Sequence, residues 1–268
     1  MMKINVFVLF LTLLSLVAFT GSLFAQAPLP VYEGFNYAAG NLVGNAGWNE
    51  SGNPPNTGNP VQVVDTSLSY TGLPASTGKK VALLDGSGYE DPGFDITPTG
   101  SDGTSIYFSF ILNVVSAGTA GDYFFNVSTT GQTSTDYHSK VFVKQGAGGA
   151  SSYLIGVRNA SSDTIQYETA DRTVGTTIFV VVSYDFVSGS SNDVSRVWIN
   201  PTLGESVAPT ANLTTTGSGT DLTAVGRIDL RQGSSDTSLS VEVDEIRAGT
   251  TWASATPNNS SVDDWTVF

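Results

Sequence analysis

Residues 176–201 read TTIFVVVSYDFVSGSSNDVSRVWINP, and this stretch decides the fold. Five apolar or aromatic side chains recur at every second position of its first half: Ile178, Val180, Val182, Tyr184 and Phe186. Because successive residues of a β-strand point to opposite faces, this alternation predicts a strand with one apolar face. Turn-forming residues follow at 188–193, and a second strand over 194–200 stops at Pro201, which cannot donate to a ladder. The stretch predicts a long antiparallel hairpin with one face for a core.

The return strand of this hairpin divides into two kinds of face. Val197 and Ile199 share the core face, whereas Arg196, Trp198 and Asn200 share the polar one. An aromatic plane beside hydrogen-bonding groups is what a sugar ring needs, so these three residues are the predicted carbohydrate-binding site. The alternative is that the tryptophan closes one edge of the core, since large aromatic side chains are rarely left bare.

The N-terminus has the pattern of a secretory signal peptide. Lys3 gives it a short basic start, residues 6–19 are almost entirely apolar, and small residues follow. The apolar run is shorter than the roughly 20 residues that span a membrane. We expect cleavage after Ala25 rather than Ala27, because the latter would leave proline at the new N-terminus. The mature domain is then 26–268, without a transmembrane segment.

Composition narrows the possible partners. The 268 residues carry 24 acidic and 11 basic side chains and no cysteine, with a formal net charge of −13. Such an acidic surface repels nucleic acid and anionic membranes, so neither is a predicted partner. Export without cysteine excludes a disulfide framework, and stability must come from packing and bound ions. The acidity itself fits either solubility outside the cell or cation binding.

The rest of the chain consists of short apolar runs between clusters of turn-forming residues, with no amphipathic helical stretch of useful length. This pattern is typical of an all-β sandwich or barrel. Besides the hairpin, strands are predicted at 31–37, 61–64, 80–84, 105–115, 122–128, 140–145, 153–158, 164–168, 226–231 and 239–248. Long connections are predicted at 40–60 and 208–222.

The last long strand contains a break in its alternation. Apolar residues occupy every second position from Leu239 to Val243, and strict continuation would bury Glu245 and expose Ile246. One extra residue in the strand restores the phase. The sequence therefore predicts a β-bulge at residues 244–245 that returns Ile246 to the core.

Three segments resemble a known family. They are YEGFNY at 32–37 with Gly44 and Trp48 beyond it, VVSYD at 181–185 with its return strand, and VDEIRAGTTW at 243–252. Together they resemble secreted bacterial domains of the concanavalin A-like (laminin-G-like) lectin/glucanase superfamily, over residues 31–252. The resemblance implies a jelly roll, that is, an antiparallel β-sandwich of two curved sheets in a single domain, often used for glycan binding or adhesion.

Catalysis has two candidate sets of residues. Glu242 and Asp244 lie on one strand face, about 6.6 Å apart along the strand, within the carboxyl separations that glycosidases use. Glucanases that this fold resembles have an E-x-D-x-x-E strand, but Arg247 stands where the second glutamate is expected. His138 is the only histidine, and no nucleophile motif accompanies it, so we expect a solvated loop residue.

Calcium is the cofactor to consider, because it prefers clustered carboxylate and carbonyl oxygens. In jelly rolls of this kind the first and last strands often lie near each other, so Glu33 and Asp244 are predicted to share an ion. Asp85, Glu90 and Asp91 form a second acidic group, which we expect to be a solvated loop.

These observations lead to a ranked set of functions. The first is a secreted, non-catalytic carbohydrate-binding or adhesion module of a bacterial cell surface, with a glycan as partner. The alternative is a purely structural surface or matrix protein without a small ligand. The third is a glycoside hydrolase that acts on a polysaccharide.

Overall fold

The computed structural model describes residues 26–259 and 266–267, so the predicted signal peptide lies outside the described residues. This part of the chain is almost entirely strand. Its elements, in chain order, are β1 (Val31–Glu33), β2 (Gly40–Asn41), β3 (Asn49–Glu50), β4 (Gln62–Val64), β5 (Lys80–Leu84), β6 (Pro92–Thr99), β7 (Ser105–Ser116), β8 (Asp122–Ser128), β9 (His138–Gly146), β10 (Gly149–Arg158), β11 (Gln166–Tyr167), β12 (Arg172–Thr173), β13 (Ile178–Asp185), β14 (Val194–Ile199), β15 (Leu213–Thr216), β16 (Val225–Leu230), β17 (Ser240–Gly249), α1 (Trp252–Ala255) and β18 (Thr266–Val267). No helix in these ranges is long and apolar enough to cross a membrane.

The strands form two sheets that make an antiparallel β-sandwich, as predicted. The ten-stranded sheet has the order β15-β14-β13-β7-β17-β5-β4-β2, with β1 beside β17 and β18 beside β1. The eight-stranded sheet has the order β11-β10-β9-β8-β16-β6-β3, with β12 also on β10. Neighbouring strands come from distant parts of the sequence, which is the connectivity of a jelly roll. The one parallel pair among the described strands joins β1 to β18.

The central hairpin is confirmed, but neither face of its first strand is open to solvent. β13 pairs with β14 in the register that places Val182 opposite Val197, and it pairs with β7 on its other edge. All eight residues of β13 are buried. We expected one core face and one polar face; instead the second face is also covered, for a reason that lies outside the strand.

The main core lies between the two sheets. Aromatic rings meet across it: Phe110 of β7 lies 4.9 Å from Phe125 and 5.7 Å from Phe124 of β8, measured between ring centroids. The alternating residues of β13 that face inward all belong to this core. Burial of so many large apolar side chains supplies the driving force that a chain without disulfides requires.

A second apolar cluster, the outer layer, covers the far side of the ten-stranded sheet. Its buried members are Leu68, Leu73, Ile111, Phe179, Val181, Trp198, Trp252 and Ala255. The ring of Trp252, at the start of α1, lies 4.9 Å from that of Trp198. A capping box between Thr251 and Ser254 fixes the start of this short helix. Chain segments and a helix turn therefore hide the outer face of β13.

The predicted β-bulge in β17 is confirmed. Asp244 is opposite Ile111 of β7, whereas Arg247 is opposite Ser109, so β17 has one extra residue in between. Glu245 adopts the unfavourable left-handed backbone conformation at the bulge, with a φ of +56°. Ile246 is fully buried in the main core. The bulge also marks the point where the strand beside β17 changes from β5 to β1.

Several strands and one boundary differ from the sequence predictions: the short strands β2 and β3 lie inside the predicted connection 40–60, and β12 was not predicted. β6 was not predicted, because PGFDITPT contains two prolines and a glycine, which disfavour strands. β15 lies inside the predicted connection 208–222. The predicted first strand ends at Glu33 rather than Tyr37, because Phe35 adopts a φ of +52° and turns the chain.

Candidate functional site

The outer face of the eight-stranded sheet carries a row of aromatic rings, which we call the aromatic floor: Tyr123, Phe142 and Tyr167. They come from β8, β9 and β11, and their centroids are separated by 5.3 Å and then 6.5 Å. Phe142 points outward because Val141 and Val143 on either side of it face the main core, and Tyr123 is followed by the core residue Phe124. Tyr123 and Phe142 are buried, whereas Tyr167 is partly exposed.

A glycine in β10 creates the seat for the last ring of the floor. β11 pairs with β10 so that Tyr167 is opposite Gly156. A Cβ at Gly156 would lie 2.6 Å from the Cδ1 and Cε1 atoms of this ring. The ring can therefore lie close to the sheet only because residue 156 has no side chain.

Four cations lie over the floor. The Cζ atom of Arg231 is 4.1 Å from the ring centroid of Tyr123, and the Nζ atom of Lys140 is 4.9 Å from the same centroid. Lys144 lies 4.0 Å from the Tyr167 centroid, and Arg158 lies 5.1 Å from that of Phe142. These distances are within the range of cation–π attraction, so the rings hold the long side chains in place across the face.

A hydrogen-bonded polar network continues this face across β16. Arg227 is almost fully buried and donates to Asp95 and Asp229 at 2.9 Å and 2.8 Å. Asp229 also accepts from Asn126 and Ser128 of β8. Every group here has a partner, so the network holds the strand pair rigid, as a supporting frame for the floor.

Burial shifts the titration of several groups at this end of the sandwich. Burial raises the pKa of Asp91 to about 7, and burial together with the nearby Asp122 raises that of Asp85 to about 8. Burial, together with the charges of Arg158 and Arg231, lowers the pKa of Lys140 to about 8. Perturbed groups of both signs are typical of functional sites, although ion-pair networks also produce them.

Three phenol hydroxyl groups of this face have no hydrogen-bond partner within residues 26–259. They belong to Tyr123, Tyr137 and Tyr167; the ring of Tyr137 lies 5.8 Å from the Lys140 Nζ atom. A hydroxyl can donate and accept, so each can bond to a ligand hydroxyl. The arrangement therefore offers apolar ring surface, cations and uncommitted hydroxyl groups together.

The predicted carbohydrate site at Trp198, Arg196 and Asn200 does not have the exposed ring that it requires. Trp198 is 3% exposed and belongs to the outer layer, and its Nε1 atom donates to the carbonyl oxygen of Pro209 at 2.8 Å. Arg196 forms an ion pair with Asp185. The alternative, a packing role for the tryptophan, is the one observed, because the segment around Pro209 covers this part of the sheet.

Asn200 has a structural position of its own. Its φ is +54°, and its Oδ1 atom accepts from the amide of Phe179 at 2.9 Å. Asparagine tolerates this left-handed conformation better than most residues, so it ends the return strand of the hairpin. A depression of about 330 Å³ remains beside Trp198, lined also by Tyr107 and Arg196.

The structure does not bring Glu33 and Asp244 together as ion ligands. β1 and β17 do pair, as expected. However, Glu33 contacts Trp48 of the main core, whereas Asp244 accepts from the amide of Leu68 in the outer layer. Their side chains therefore point to opposite faces of the sheet. Among the described residues, no group of three or more potential metal-binding side chains is found.

Hydrogen bonds from the protein occupy both carboxylates. Glu33 accepts from the Phe35 amide, the Tyr37 hydroxyl and the Trp48 indole, at 2.6 to 2.9 Å. Burial raises its pKa, and the same donors oppose the shift. Asp244 accepts a second bond from the Glu245 amide. These are the contacts of carboxylates that anchor loops.

The other candidate residues are also engaged in the structure. Glu242 pairs with Lys80 at 2.8 Å and accepts from Asn113. His138 is 5% exposed and starts β9, so the expectation of a solvated loop histidine was wrong; its ring nitrogens lie 2.7 Å and 3.1 Å from the carbonyl oxygens of Asp136 and Thr220.

The acidic group at 85–91 was expected to be a solvated loop, and that expectation is wrong. Asp85 and Glu90 are each 4% exposed. Asp85 accepts from the Gly233 amide, Glu90 from Val61 and Asp91 from Gln232. Asp85 and Asp91 therefore connect this segment to the turn after β16, and Glu90 connects it to the start of β4, which the sequence gives no means to foresee.

Comparisons with known proteins do not assign a family. No protein-family model matches the chain, and no curated protein sequence matches it significantly. Solved structures with a partly similar fold include domain 4 of a GH43 extracellular arabinanase from Geobacillus stearothermophilus, in complex with arabinotriose. It is 16% identical over 78% of this chain and 85% of that one, with a TM-score of 0.42.

Two further solved structures also have a partly similar fold. The PL7 alginate lyase from Zobellia galactanivorans is 9% identical over 69% of this chain and 83% of its own, with a TM-score of 0.42. The receptor-binding domain of botulinum neurotoxin type G is 9% identical over 80% of this chain, which spans 43% of that domain's length, with a TM-score of 0.39. At such low sequence identities and TM-scores, these similarities do not indicate a ligand or an activity for this chain.

Proposed function

We propose that this protein is a secreted, non-catalytic carbohydrate-binding module that uses the outer face of the eight-stranded sheet. The observation that carries this proposal is the aromatic floor, with uncommitted phenol hydroxyl groups at Tyr123, Tyr137 and Tyr167. A sugar ring has an apolar C–H face and a rim of hydroxyl groups. The partly exposed ring of Tyr167 matches the first, and the hydroxyl and charged groups around the floor match the second.

The shape of the face suits an extended chain rather than a small molecule. The floor crosses β11, β9 and β8, so its hydroxyl and charged groups are spread over several strands. Neighbouring strands lie about 4.8 Å apart, so such a row is long enough for several sugar units. A polysaccharide at a bacterial surface or matrix is the partner that fits this proposal, together with the signal-like start of the chain.

Affinity electrophoresis against a panel of neutral and acidic polysaccharides tests this proposal. We expect retardation by at least one polysaccharide, and at least a fivefold loss of affinity in the variant Tyr167→Ala. Tyr70→Ala is the matched control, because Tyr70 is also a partly buried tyrosine but packs on Phe179 at the opposite sheet. No retardation by any polysaccharide, or an equal loss in both variants, would contradict the proposal.

Release of reducing ends is the readout that separates binding from hydrolysis. We expect none, since Glu242 is held by Lys80 and Asn113, and Asp244 is buried under Leu68. Activity that disappears in Glu242→Gln would favour a glycoside hydrolase instead.

A further inference from the structure

Most lysines and arginines in the described part of this acidic chain form ion pairs with carboxylates, but a few do not. Seven of the ten lysines and arginines within residues 26–259 form ion pairs with carboxylates. The three others are Lys140, Lys144 and Arg158, and no carboxylate oxygen of the described residues lies within 4.0 Å of their nitrogens. With 24 acidic residues in the chain, a cluster of three unpaired cations is unexpected.

All three lie on β9 and β10, above the aromatic floor. Lys140 and Arg158 are directly opposite each other in the antiparallel pairing, and Lys144 is four residues further along β9. Like charges at opposite positions of two strands destabilise the pair. Arg231, above Tyr123, adds a fourth positive charge nearby, although it is paired with Asp122.

Two of these cations are also incompletely satisfied. Lys140 is 2% exposed, and its ammonium group donates to the hydroxyl of Ser161 at 2.6 Å. The Nε atom of Arg158 is buried and has no hydrogen-bond acceptor. A buried donor without a partner lowers stability, and a buried charge without a counter-ion lowers it more. The fold tolerates a local defect that an anion would correct.

From this geometry we infer that the ligand of this face is an anionic polysaccharide, one whose sugar units carry carboxylate or sulfate groups. This inference rests on the proposed function and specifies its ligand class. One anionic group lies against Arg158, whose planar guanidinium can donate two parallel bonds to carboxylate or sulfate oxygens. The Lys140 ammonium contributes positive charge beneath it.

The spacing of the cations favours a polymer over a single small anion. Lys140 and Lys144 are separated by four residues of extended strand, which corresponds to about 13 Å. One carboxylate or sulfate cannot lie close to both charges, whereas successive charged units of a polysaccharide can lie above the buried Lys140 and beside Lys144. Between them lies Phe142, which is 4% exposed beneath Arg158, so the polymer would contact the charged groups above it and the partly exposed ring of Tyr167.

Isothermal titration calorimetry with matched polysaccharide pairs tests the inference. The first pair is polygalacturonate and its methyl ester, which share a backbone and differ in the carboxylate charge. The second pair is dextran sulfate and dextran. We expect the anionic member of at least one pair to bind at least tenfold more tightly than its neutral partner, and the pair that responds identifies carboxylate or sulfate as the group recognised.

The variant Lys140→Met removes the buried charge and keeps the length of the side chain. We expect at least a tenfold loss of affinity for the anionic polymer, and a midpoint of thermal unfolding equal to or higher than that of the wild type, because the uncompensated charge is gone. Lys79→Met is the control, since Lys79 directly precedes β5 of the other sheet, pairs with Asp65 and has the same charge change. Its affinity should stay within twofold of the wild type.

Each outcome has a definite meaning. Equal binding of neutral and anionic partners, or unchanged affinity in Lys140→Met, overturns the anionic ligand. If a neutral polysaccharide binds and Tyr167→Ala still weakens it, the glycan-binding proposal survives while this inference fails. If none of the four polymers binds, the inference fails, and the wider panel decides the fate of the proposed function.

Discussion

The outer faces of the two sheets differ in what covers them. On the ten-stranded sheet the outer layer buries Phe179, Val181 and Trp198 under the short helix and loop segments. On the eight-stranded sheet the aromatic floor lies beneath lysine and arginine side chains that belong to the sheet or begin directly after it. One face completes the fold, whereas the other offers charge and hydroxyl groups to a partner.

The difference originates in the outward-facing residues of the strands. In β13 the outward positions 179 and 181 are as apolar as the inward ones, so this face also needs cover. In β9 the inward residues Val141 and Val143 alternate with Lys140 and Lys144. A strand that is apolar on both faces therefore indicates packing by another segment, and one that alternates with cations indicates a face that its own charged side chains cover.

The largest expected loss of stability comes from truncating a buried side chain of the outer layer. Trp198→Ala removes a buried ring that contacts Trp252 and Tyr107 and leaves a cavity. We expect the free energy of unfolding to fall by about 3–5 kcal/mol, the range for large aromatic residues replaced by alanine in a core. Urea denaturation monitored by circular dichroism measures the change.

Val207→Ala is the control for this prediction. Val207 belongs to the same covering segment, but it is 72% exposed, so its truncation should change stability by less than about 0.5 kcal/mol. A loss below about 1 kcal/mol in Trp198→Ala would show that the outer layer is not a packed part of the fold.

A smaller loss of stability is expected from a substitution at Gly156 that displaces the ring of Tyr167. In Gly156→Ala the new methyl group meets the ring at 2.6 Å, so the ring must move away from the sheet. Such overpacking costs about 1–3 kcal/mol, and glycan affinity should fall with it. Chemical denaturation and affinity electrophoresis report the two effects.

The double variant Gly156→Ala with Tyr167→Ala isolates the cause. Without the ring the added methyl group has room, so we expect this variant to be more stable than Gly156→Ala alone. Double-variant stability equal to or below that of Gly156→Ala would mean that the glycine serves the backbone rather than the ring.

How far the sequence determines these features depends on the range of the interactions. Period-two alternation is local, so the hairpin, most strands and even the bulge that buries Ile246 follow from it. The bulge is predictable because a single misplaced Glu245 conflicts with the apolar pattern on both sides. The strand β6 was missed because its prolines and glycine resemble a loop when only neighbours in sequence are considered.

The site was less predictable, because it depends on which segments fold over which face. Trp198 alternates like a surface residue, and only the distant segment at Pro209 buries it. Conversely, Tyr123, Phe142 and Tyr167 lie on separate strands, and their proximity depends on the order β8-β9-β10-β11. The lysines of β9 were a visible signal, since alternation with Val141 and Val143 already places them on the outer face of the sheet.

The stability of the fold should depend on pH, because the covered face contains a buried carboxyl group. Burial beneath Leu68 raises the pKa of Asp244 from 3.8 to about 8. A carboxyl with a higher pKa in the folded state stabilises the fold when protonated; this contribution is complete below pH 3.8 and is lost as pH rises to about 8. Asp85 and Asp91 act in the same direction, so unfolding midpoints should decrease from pH 4.5 to pH 7.5, roughly the window between those values.

The variant Asp244→Asn measures how much of this pH dependence comes from Asp244. The amide is neutral at every pH, so the variant should lose less stability than the wild type across this window, by at most about 1.4 kcal/mol per pH unit. Urea midpoints at several pH values give the slope. A slope identical to that of the wild type would show that Asp244 is ionised throughout, with its two amide donors outweighing the effect of burial.

The smallest expected effect concerns Arg196, the one charged residue of the originally predicted sugar site. Arg196→Ala removes an ion pair with Asp185 and part of the wall of the depression beside Trp198, on the sheet opposite the aromatic floor. If glycans bind over Tyr123, Phe142 and Tyr167, affinity should stay within twofold of the wild type. A larger loss here, with Tyr167→Ala unaffected, would move the binding site to the ten-stranded sheet. The outer layer would then be part of a binding surface rather than a covering, and the contrast between the two faces would be reversed.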